Sequence, residues 1–433
     1  MNEIYLDYLI RCNDKPKYLN NLKNVFKEMY VNKHNMRSFS QTSNIISCLL
    51  YNMVKAYVFG LDGLYVSRDR GFYDSKIIYN GQIMNFKIGY VGMVKWLDFL
   101  EEIGMITCNK GYYVSEDSNE IGYVLFTQKL KDTIEMHVDM KKVKLKPLEN
   151  VLILRDIDGA DLPFRRTKEI KTMIDLVKSY NSFMSDKVVT LYGERLNTDL
   201  HRSFSRSSFE KGGRYYNSGK SIQQLNKKDR ANVLIDGQKT TELDYCQLHP
   251  SLCYEREGVV LDEQFDCYGG DEGQMAFEVD CEYILHRRKT DPKYNPVRNF
   301  LKKALLILIN GQEERQVIFK LFQILREDKN YTEDEQLFTG LINPDPHFAI
   351  EFLKERNYLI EKYFHSDAGI GLQRVDSDIM SAILEYCIQR SIPVLTIHDS
   401  VIVPQQYTGE IIGVMKSAFK TVVGSNFNCR IEV

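Results

Sequence analysis

Two aspartates, far apart in the chain, occupy the same local setting. Asp244 lies in TTELDYCQLHPSLCYEREG (Thr240 to Gly258), where strand-forming and apolar residues deliver one carboxylate and the apolar-patterned Leu248, Leu252 and Tyr254 follow. Asp399 interrupts the β-branched run VLTIHDSVIVP (Val394 to Pro404) together with His398 and Ser400, which predicts a hairpin with its acid at the tight turn. An ionised carboxylate beside packed apolar residues needs a cation or hydrogen bonds to offset its desolvation. Alone, Asp244 reads equally as a solvated cap on the next helix. Two hairpin-borne acids invite a shared metal site.

Candidate cations come from NPVRNFLKKALLILINGQ (Asn295 to Gln312), with Pro296 suited to a helix start and Gly311 to a helix stop. Arg298, Lys302, Leu306 and Asn310 recur at four-residue steps, so they form a slowly spiralling line along one helix. Such a line could hold a triphosphate; it also reads as a core helix with two surface cations. A second cationic stretch, His201 to Thr240, holds nine Lys or Arg against three acids, a local balance of 9 − 3 = +6. Phe204, Phe209, Tyr215 and Tyr216 are interleaved with those charges. Cations, small donors and stacking rings suit a nucleic-acid backbone, whereas a charge run by default is a solvated face.

The elements that must position these groups are legible in outline. Thr167 to Met184 predicts a long helix with Ile170, Met173, Ile174, Val177 and Asn181 on one stripe, the only long helix before the motifs. Gly369 to Arg390 predicts another, with Gln373 and Asp378 near its start. Nearer the N-terminus a helix is expected around Ile45 to Phe59 and strands over Leu64 to Tyr79. Tyr90 to Ile103 predicts a helix with Val91, Val94, Leu97 and Leu100 on one face, followed by strand-like MITCNKGYYV and IGYVLFTQKL around the polar loop Ser115 to Glu120. Helix, then strand–turn–strand, is the order of a winged helix–turn–helix module and equally of an ordinary α+β subdomain. Its helix carries Lys95 but also Asp98, Glu101 and Glu102, which a phosphate would repel. Lys141 to Lys146 reads as a solvated strand or linker.

Composition narrows the classes. A chain of 433 residues with 43% hydrophobic and 27% charged residues has material for a large core and two or three domains. A net charge of −2 gives no global basic field, so any nucleic acid must be met by local patches. Nine cysteines with no CxxC pair argue against a zinc site and a disulfide framework. The longest purely apolar run, Ala304 to Ile309, is far short of a membrane span, and the start MNEIYLDYLIRC is too polar for a signal peptide. A soluble cytoplasmic protein with no membrane partner is expected.

In their order the motifs resemble those of family A nucleotidyl polymerases, meaning bacterial DNA polymerase I and the phage-type single-subunit RNA polymerases. Asp244-Tyr245-Cys246-Gln247-Leu248-His249 resembles that family's motif A, D-Y-S-Q-I-E; Arg298, Lys302, Leu306 and Asn310-Gly311 fall on motif B, R-x3-K-x3-F-x3-Y-G. His398-Asp399-Ser400 is similar to motif C, Gln373-x4-Asp378-Ile379 to Q-x4-D-I, and Gly213-Arg214 followed by Gln223 or Gln224 to the primer–template segment before motif A. The likeness covers about Gly212 to Pro404. It departs at His249, which replaces the Glu that crowds the sugar 2′ position, at Leu306 and Asn310, and at Ser400, which replaces an acid. No exonuclease signature precedes the motifs. Within the family, ELDYCQLHP with IHDS is most similar to the polymerase-primases of staphylococcal cassette chromosome elements.

The resemblance implies an α+β right hand of palm and fingers, with a reduced thumb and an N-terminal winged-helix-like region. The expected divisions are 1–135 with that module at about 85–130, 136–200 for linker and thumb-like helix, and 201–433 for palm and fingers. It implies catalysis by Asp244, Asp399, Lys302 and Arg298, with two Mg²⁺ (Mn²⁺ as the alternative) held by Asp244, Asp399 and the Tyr245 carbonyl. Nucleotide contacts are implied for Arg298, Lys302, Leu306, Asn310, His249 and Gln247, and nucleic-acid contacts for Arg214, Gln224, Arg230, Gln373 and His398. The implied partners are a single-stranded or primed DNA template, dNTPs or NTPs, a small accessory protein and a replicative helicase. A phage-type RNA polymerase and a non-catalytic replication initiator remain as alternatives.

Overall fold

Burial of apolar side chains separates this α+β chain into two cores, one drawn from Leu19 to Val143 and the other from Val151 to Phe419. The computed structural model describes residues 17–34, 43–85, 88–109, 111–115, 118–120, 122–270, 272–273, 295–327 and 345–433. The N-terminal dodecapeptide and residues 116–117 of the expected polar loop lie outside the described residues.

The smaller core is built by α1 (Asn20–His34), α2 (Ser43–Val58), β1 (Gly63–Tyr65), α3 (Arg70–Asp74), the β2 (Lys76–Tyr79) and β3 (Gln82–Asn85) hairpin, α4 (Tyr90–Glu102), β4 (Ile106–Asn109), β5 (Tyr112–Ser115), β6 (Ser118–Glu120), β7 (Tyr123–Phe126) and α5 (Gln128–His137). Three sequence expectations are corrected here. The strand region Leu64 to Tyr79 contains α3, because the Asp69 carboxylate accepts from the backbone N–H groups of Gly71 and Phe72 and starts a helical turn. On α4 the inward stripe is Met93, Trp96, Leu97 and Leu100, while Val91 is 61% exposed, since the large rings of Trp96 and Phe99 take the inner positions against Tyr30. The second strand-like run ends at Phe126, because Thr127 caps α5 by accepting from the Leu130 N–H. The polar loop also contains a strand, β6, paired with β5. Strands β1, β7 and β4 form one antiparallel sheet in that order beside α4.

The larger core begins with β8 (Leu152–Leu154) and α6 (Lys168–Ser185), followed by β9 (Val189–Leu191) and β10 (Glu194–Arg195). Next come β11 (Leu200–Ser205) and β12 (Ser208–Asn217), which pair as an antiparallel hairpin with β8 parallel to β11. After α7 (Lys227–Arg230), β13 (Leu234–Ile235), β14 (Gln238–Tyr245) and α8 (Leu248–Arg256), the described residues form the helices α9 (Pro296–Asn310), α10 (Glu314–Glu327), α11 (Pro346–Arg356) and α12 (Ala368–Gln389). The chain finishes with β15 (Leu395–Ile397), β16 (Ser400–Pro404), α13 (Thr408–Val423) and β17 (Ile431–Glu432). A seven-stranded sheet runs in the order β10-β9-β13-β14-β16-β15, with β17 added to β14. Every residue of β16 is buried, and β14 beside it is the strand that pairs with three others, β13, β16 and β17.

The apolar stripe of α6 is as the sequence spacing has it: Ile170, Met173, Ile174, Val177 and Asn181 are all buried. That stripe faces the larger core, and α1 and α2 are long helices that also precede the motifs. Asn181 is the polar member of the stripe. Its amide donates to the carbonyls of Leu148 (3.1 Å) and Leu200 (2.9 Å), and its carbonyl accepts from the Leu200 N–H (2.8 Å). Asn181→Ala would strand those backbone groups in a dry interior, at a cost of about 2–4 kcal/mol for several lost bonds. Urea denaturation is expected to show a lowered midpoint with an unchanged slope; an unchanged midpoint would contradict this accounting.

Candidate active site

The period of two along β14 puts Leu243 and Tyr245 into the core and Glu242 and Asp244 on the other face. Antiparallel pairing with β16 sets Asp244 opposite Ser400, and pairing with β17 sets it opposite Glu432. Asp399 stands one residue before Ser400, in the two-residue turn between β15 and β16, where His398 adopts a left-handed φ of 54°. The Tyr245 N–H donates to the Asp399 carbonyl at 3.4 Å, tying the two acid-bearing segments together. Gln247 is also left-handed (φ 55°) and turns the chain from β14 directly into α8. The two acids therefore meet because their strands are neighbours.

They open into a cleft of about 310 Å³ that is also lined by Tyr245, Gln247, His249, Arg298, Lys302, Leu306, Asn310, Arg214, Gln373 and His398. Twelve of the fourteen residues singled out from the sequence thus share one cavity. Gln224 and Arg230 do not. Arg230 is turned to Glu242, with both guanidinium bonds at 2.9 Å and a third to the Leu225 carbonyl, and Gln224 is exposed on a short 3₁₀ turn. Gln223, the other glutamine considered, is spent on the Asn217 N–H and the carbonyls of Tyr215 and Thr396. Gln247 lines the cleft, but its side-chain amide holds the loop that follows α8, accepting from the Cys267 N–H and donating to the Phe265 carbonyl.

One wall is α9. Its buried stripe includes Val297, Leu301, Ala304, Leu305 and Leu308, which leaves Lys302 exposed and Arg298 half-buried. Arg298 donates to both oxygens of Asp266 (2.6 and 3.3 Å), and its guanidinium lies 5.1 Å from the Tyr268 ring centre. The helix stops at Gly311 through close packing, since its φ is −76° and a β-carbon there would collide with Val317. A second wall joins three elements: Arg214 of β12, His249 of α8 and Asp376 of α12. Asp266, Tyr268, Asp376 and Glu432 were not legible as site residues. Asp376 alone carried a usable signal, lying three residues after Gln373 on the same helical face.

The cationic stretch His201 to Thr240 is largely neutralised. Arg202 pairs with Asp378, Arg206 with Asp367, Arg214 with Asp376, Lys220 with Glu194 and Arg230 with Glu242, so five of its nine cations meet acids from beyond that stretch or its far end. Two of its rings, Phe204 and Tyr215, are core. Tyr216 meets His398 edge-on at 6.0 Å between ring centres.

Burial, and then the Asp399 carboxylate, push the Asp244 carboxyl up to about 7, against the opposing pull of Lys302; Glu242 and Glu432 add to the push. Burial and then Arg214 shift His398 downward, favouring the neutral ring. Among the described residues no group of three or more His, Cys, Asp or Glu side chains is arranged to hold a metal ion. The cleft offers two aspartate carboxylates, hard oxygen ligands with excess negative charge. That set fits Mg²⁺, which keeps waters and takes other ligands from substrate phosphates.

No family model matches this chain, and no curated protein does. Among solved structures it aligns with the POL domain of Pol1 from M. smegmatis, described in complex with DNA primer-template and dNTP, at a TM-score of 0.33 and 11% identity. The alignment takes in 99% of this chain and 66% of that one. Among the described residues no helix is long and apolar enough to cross a membrane.

The raised Asp244 carboxyl has a consequence for stability. Its folded value of about 7 exceeds the ordinary 3.8, so ionisation opposes folding: the penalty is absent below 3.8, grows between the two values and is complete above about 7. In chelator-treated protein, Asp244→Asn is therefore expected to raise stability at pH 8 by on the order of a few kcal/mol, with the gain shrinking as pH falls. Denaturation midpoints at pH 8, 6 and 4 measure it; no gain at pH 8 would contradict the electrostatic assignment.

Proposed function

We propose that this chain is a template-directed DNA polymerase with primase activity, a nucleotidyltransferase using two divalent ions held by Asp244, Asp399 and the Tyr245 carbonyl. The observation that carries the reading is the convergence of these acids with Arg298 and Lys302 in one cleft, drawn from three separate stretches of chain. When bound, the ions would supply activation of the attacking 3′ oxygen and charge neutralisation on the triphosphate. The protein's own part is positioning and charge. Lys302, exposed in the cleft and in electrostatic reach of Asp244, offers its ammonium to the triphosphate. Arg298, oriented by Asp266 and Tyr268, reinforces it at the head of the same helix. Arg214, His249, Gln373 and His398 form the polar edge for the polymer end, and His249 stands where a sugar 2′-hydroxyl would be crowded. Arg230, committed to Glu242, drops out of the nucleic-acid set.

In this reading residues 201–433 of the larger core are palm and fingers, α6 in 136–200 is the thumb-like helix, and the chain serves replication of a mobile element beside a helicase and a small accessory protein. The region from Tyr90 to Leu130 is the proposed seat of that partner or of single-stranded template.

Asp244→Asn and Asp399→Asn are each expected to reduce nucleotide incorporation on primed single-stranded DNA by about a thousandfold or more, because a charged ligand is lost from a site for two dications. Nucleic-acid binding should stay within about twofold, since neither acid contacts the polymer. Extension near the wild-type rate by either variant excludes the two-metal assignment and leaves the non-catalytic initiator as the better reading.

Priming is tested separately. With the α6 stripe committed to the core, the chain is expected to grip a duplex weakly and so to start chains without a primer and release short products. Circular single-stranded DNA, labelled dNTPs or NTPs and no primer should yield short labelled products. Robust extension of an annealed primer with no unprimed product, partners included, would reduce the assignment to a small DNA polymerase.

A further inference from the structure

Asp376 is an acid whose side chain has 0% exposure, beneath the cleft rather than in it. Arg214 donates to its Oδ2 through Nε (2.9 Å) and Nη2 (2.6 Å), and His249 Nε2 lies 2.9 Å from the same oxygen. Three nitrogens thus converge on one oxygen, while Oδ1 is buried with no hydrogen-bond partner among the described residues.

Docking is in any case provided next door. Arg202, 1% exposed, reaches from β11 to Ser377 and Asp378 on α12 at 2.8 Å each, and Tyr215 meets Ser381 at 2.7 Å. What Asp376 adds is the orientation of two groups that line the cleft, Arg214 and His249.

We propose that Asp376 is the positioning residue of this cleft, its buried carboxylate fixing the Arg214 guanidinium and the His249 ring as one rigid polar wall against the sugar of the incoming nucleotide. The sugar assignment rests on the proposed function; the positioning does not. His249 Nε2 lies 2.9 Å from Asp376 Oδ2 and 3.1 Å from Arg214 Nη2; a proton on Nε2 satisfies the carboxylate, and that is the tautomer the positioning role requires. Among the described residues His249 Nδ1 is buried without a hydrogen-bond partner, so a proton there would have no acceptor. Arg214 spends Nε and Nη2 on this cluster, and among the described residues Nη1 makes no hydrogen bond. That nitrogen is the donor left for a ligand. A ring and guanidinium locked in this way discriminate by shape, because a ring free to turn would yield to a 2′-hydroxyl.

The test uses the full chain and two readouts. In ¹⁵N-histidine-labelled wild type, His249 is expected to show its proton on Nε2, and Asp376→Asn is expected to produce a mixture of tautomers. A wild-type proton on Nδ1 overturns the proposal whether or not the protein makes polymer. On primed single-stranded DNA, Asp376→Asn is expected to lower the dNTP-to-NTP preference by about tenfold, the scale of one lost charged hydrogen bond, with Mn²⁺ affinity within about twofold of wild type. Should the asparagine variant fail to fold, Asp376→Glu, which keeps the charge but displaces it, is expected to fold and to lose preference in the same direction. An unchanged preference in a folded variant, with an unchanged His249 signal, reduces Asp376 to a structural ion pair. Wild type that incorporates no nucleotide at all overturns the functional reading alone, and the tautomer measurement still decides the positioning.

Discussion

Like charges in a partly buried place are the constraint around which this chain is arranged. Asp244 and Asp399 are brought together by the pairing of β14 with β16, and burial, followed by that closeness, raises the Asp244 carboxyl to about 7. Folding must oppose this repulsion with something strong, and the fully buried β16 provides it. Val401, Ile402 and Val403 are each at most 1% exposed, so the turn carrying His398 and Asp399 is anchored by strand on one side and core on both faces. A site that costs stability in its own fold is a common signature of function, because the same charges become favourable once a counter-ion is bound.

The cations around the acids follow the opposite logic. Most are already paired: Arg298 with Asp266, Arg214 with Asp376, Arg202 with Asp378, Arg206 with Asp367. Pairing removes the cost of holding a guanidinium partly dry and aims it in a fixed direction. Lys302, another of the cleft's cations, is exposed, lies 5.9 Å from the Tyr268 ring centre and acts on Asp244 through its charge.

Helix α12 connects these layers. One side is buried through Leu372, Ile379, Met380 and Ile383; another carries Gln373 and Asp376 toward the cleft and Asp378 to Arg202. Arg374, on the same helix, bonds Asp378 at 2.8 Å and completes the chain of alternating charge under the β11–β12 hairpin. Movement of this helix would therefore disturb the core, the hairpin and the cleft wall together, which favours a rigid site.

Much of this was legible in the sequence because the signals were local. Alternation set the face of Asp244, the β-branched run with His398-Asp399 predicted its own turn, and four-residue steps placed Arg298, Lys302 and Leu306 on one line of α9. The stripe of α6 followed from helical period alone. Tertiary structure decided everything that depends on partners distant in the chain. The +6 balance of His201 to Thr240 suggested an open basic surface, but acids such as Asp376, Asp378 and Asp367 from α12 and its start neutralise much of it. Glu432 reaches the site only through strand register, and Asp266 only because its loop is held by Gln247 and faces α9. Periodicity is a property of neighbours along the chain, whereas charge pairing and register are properties of neighbours in space, and only the fold brings those together.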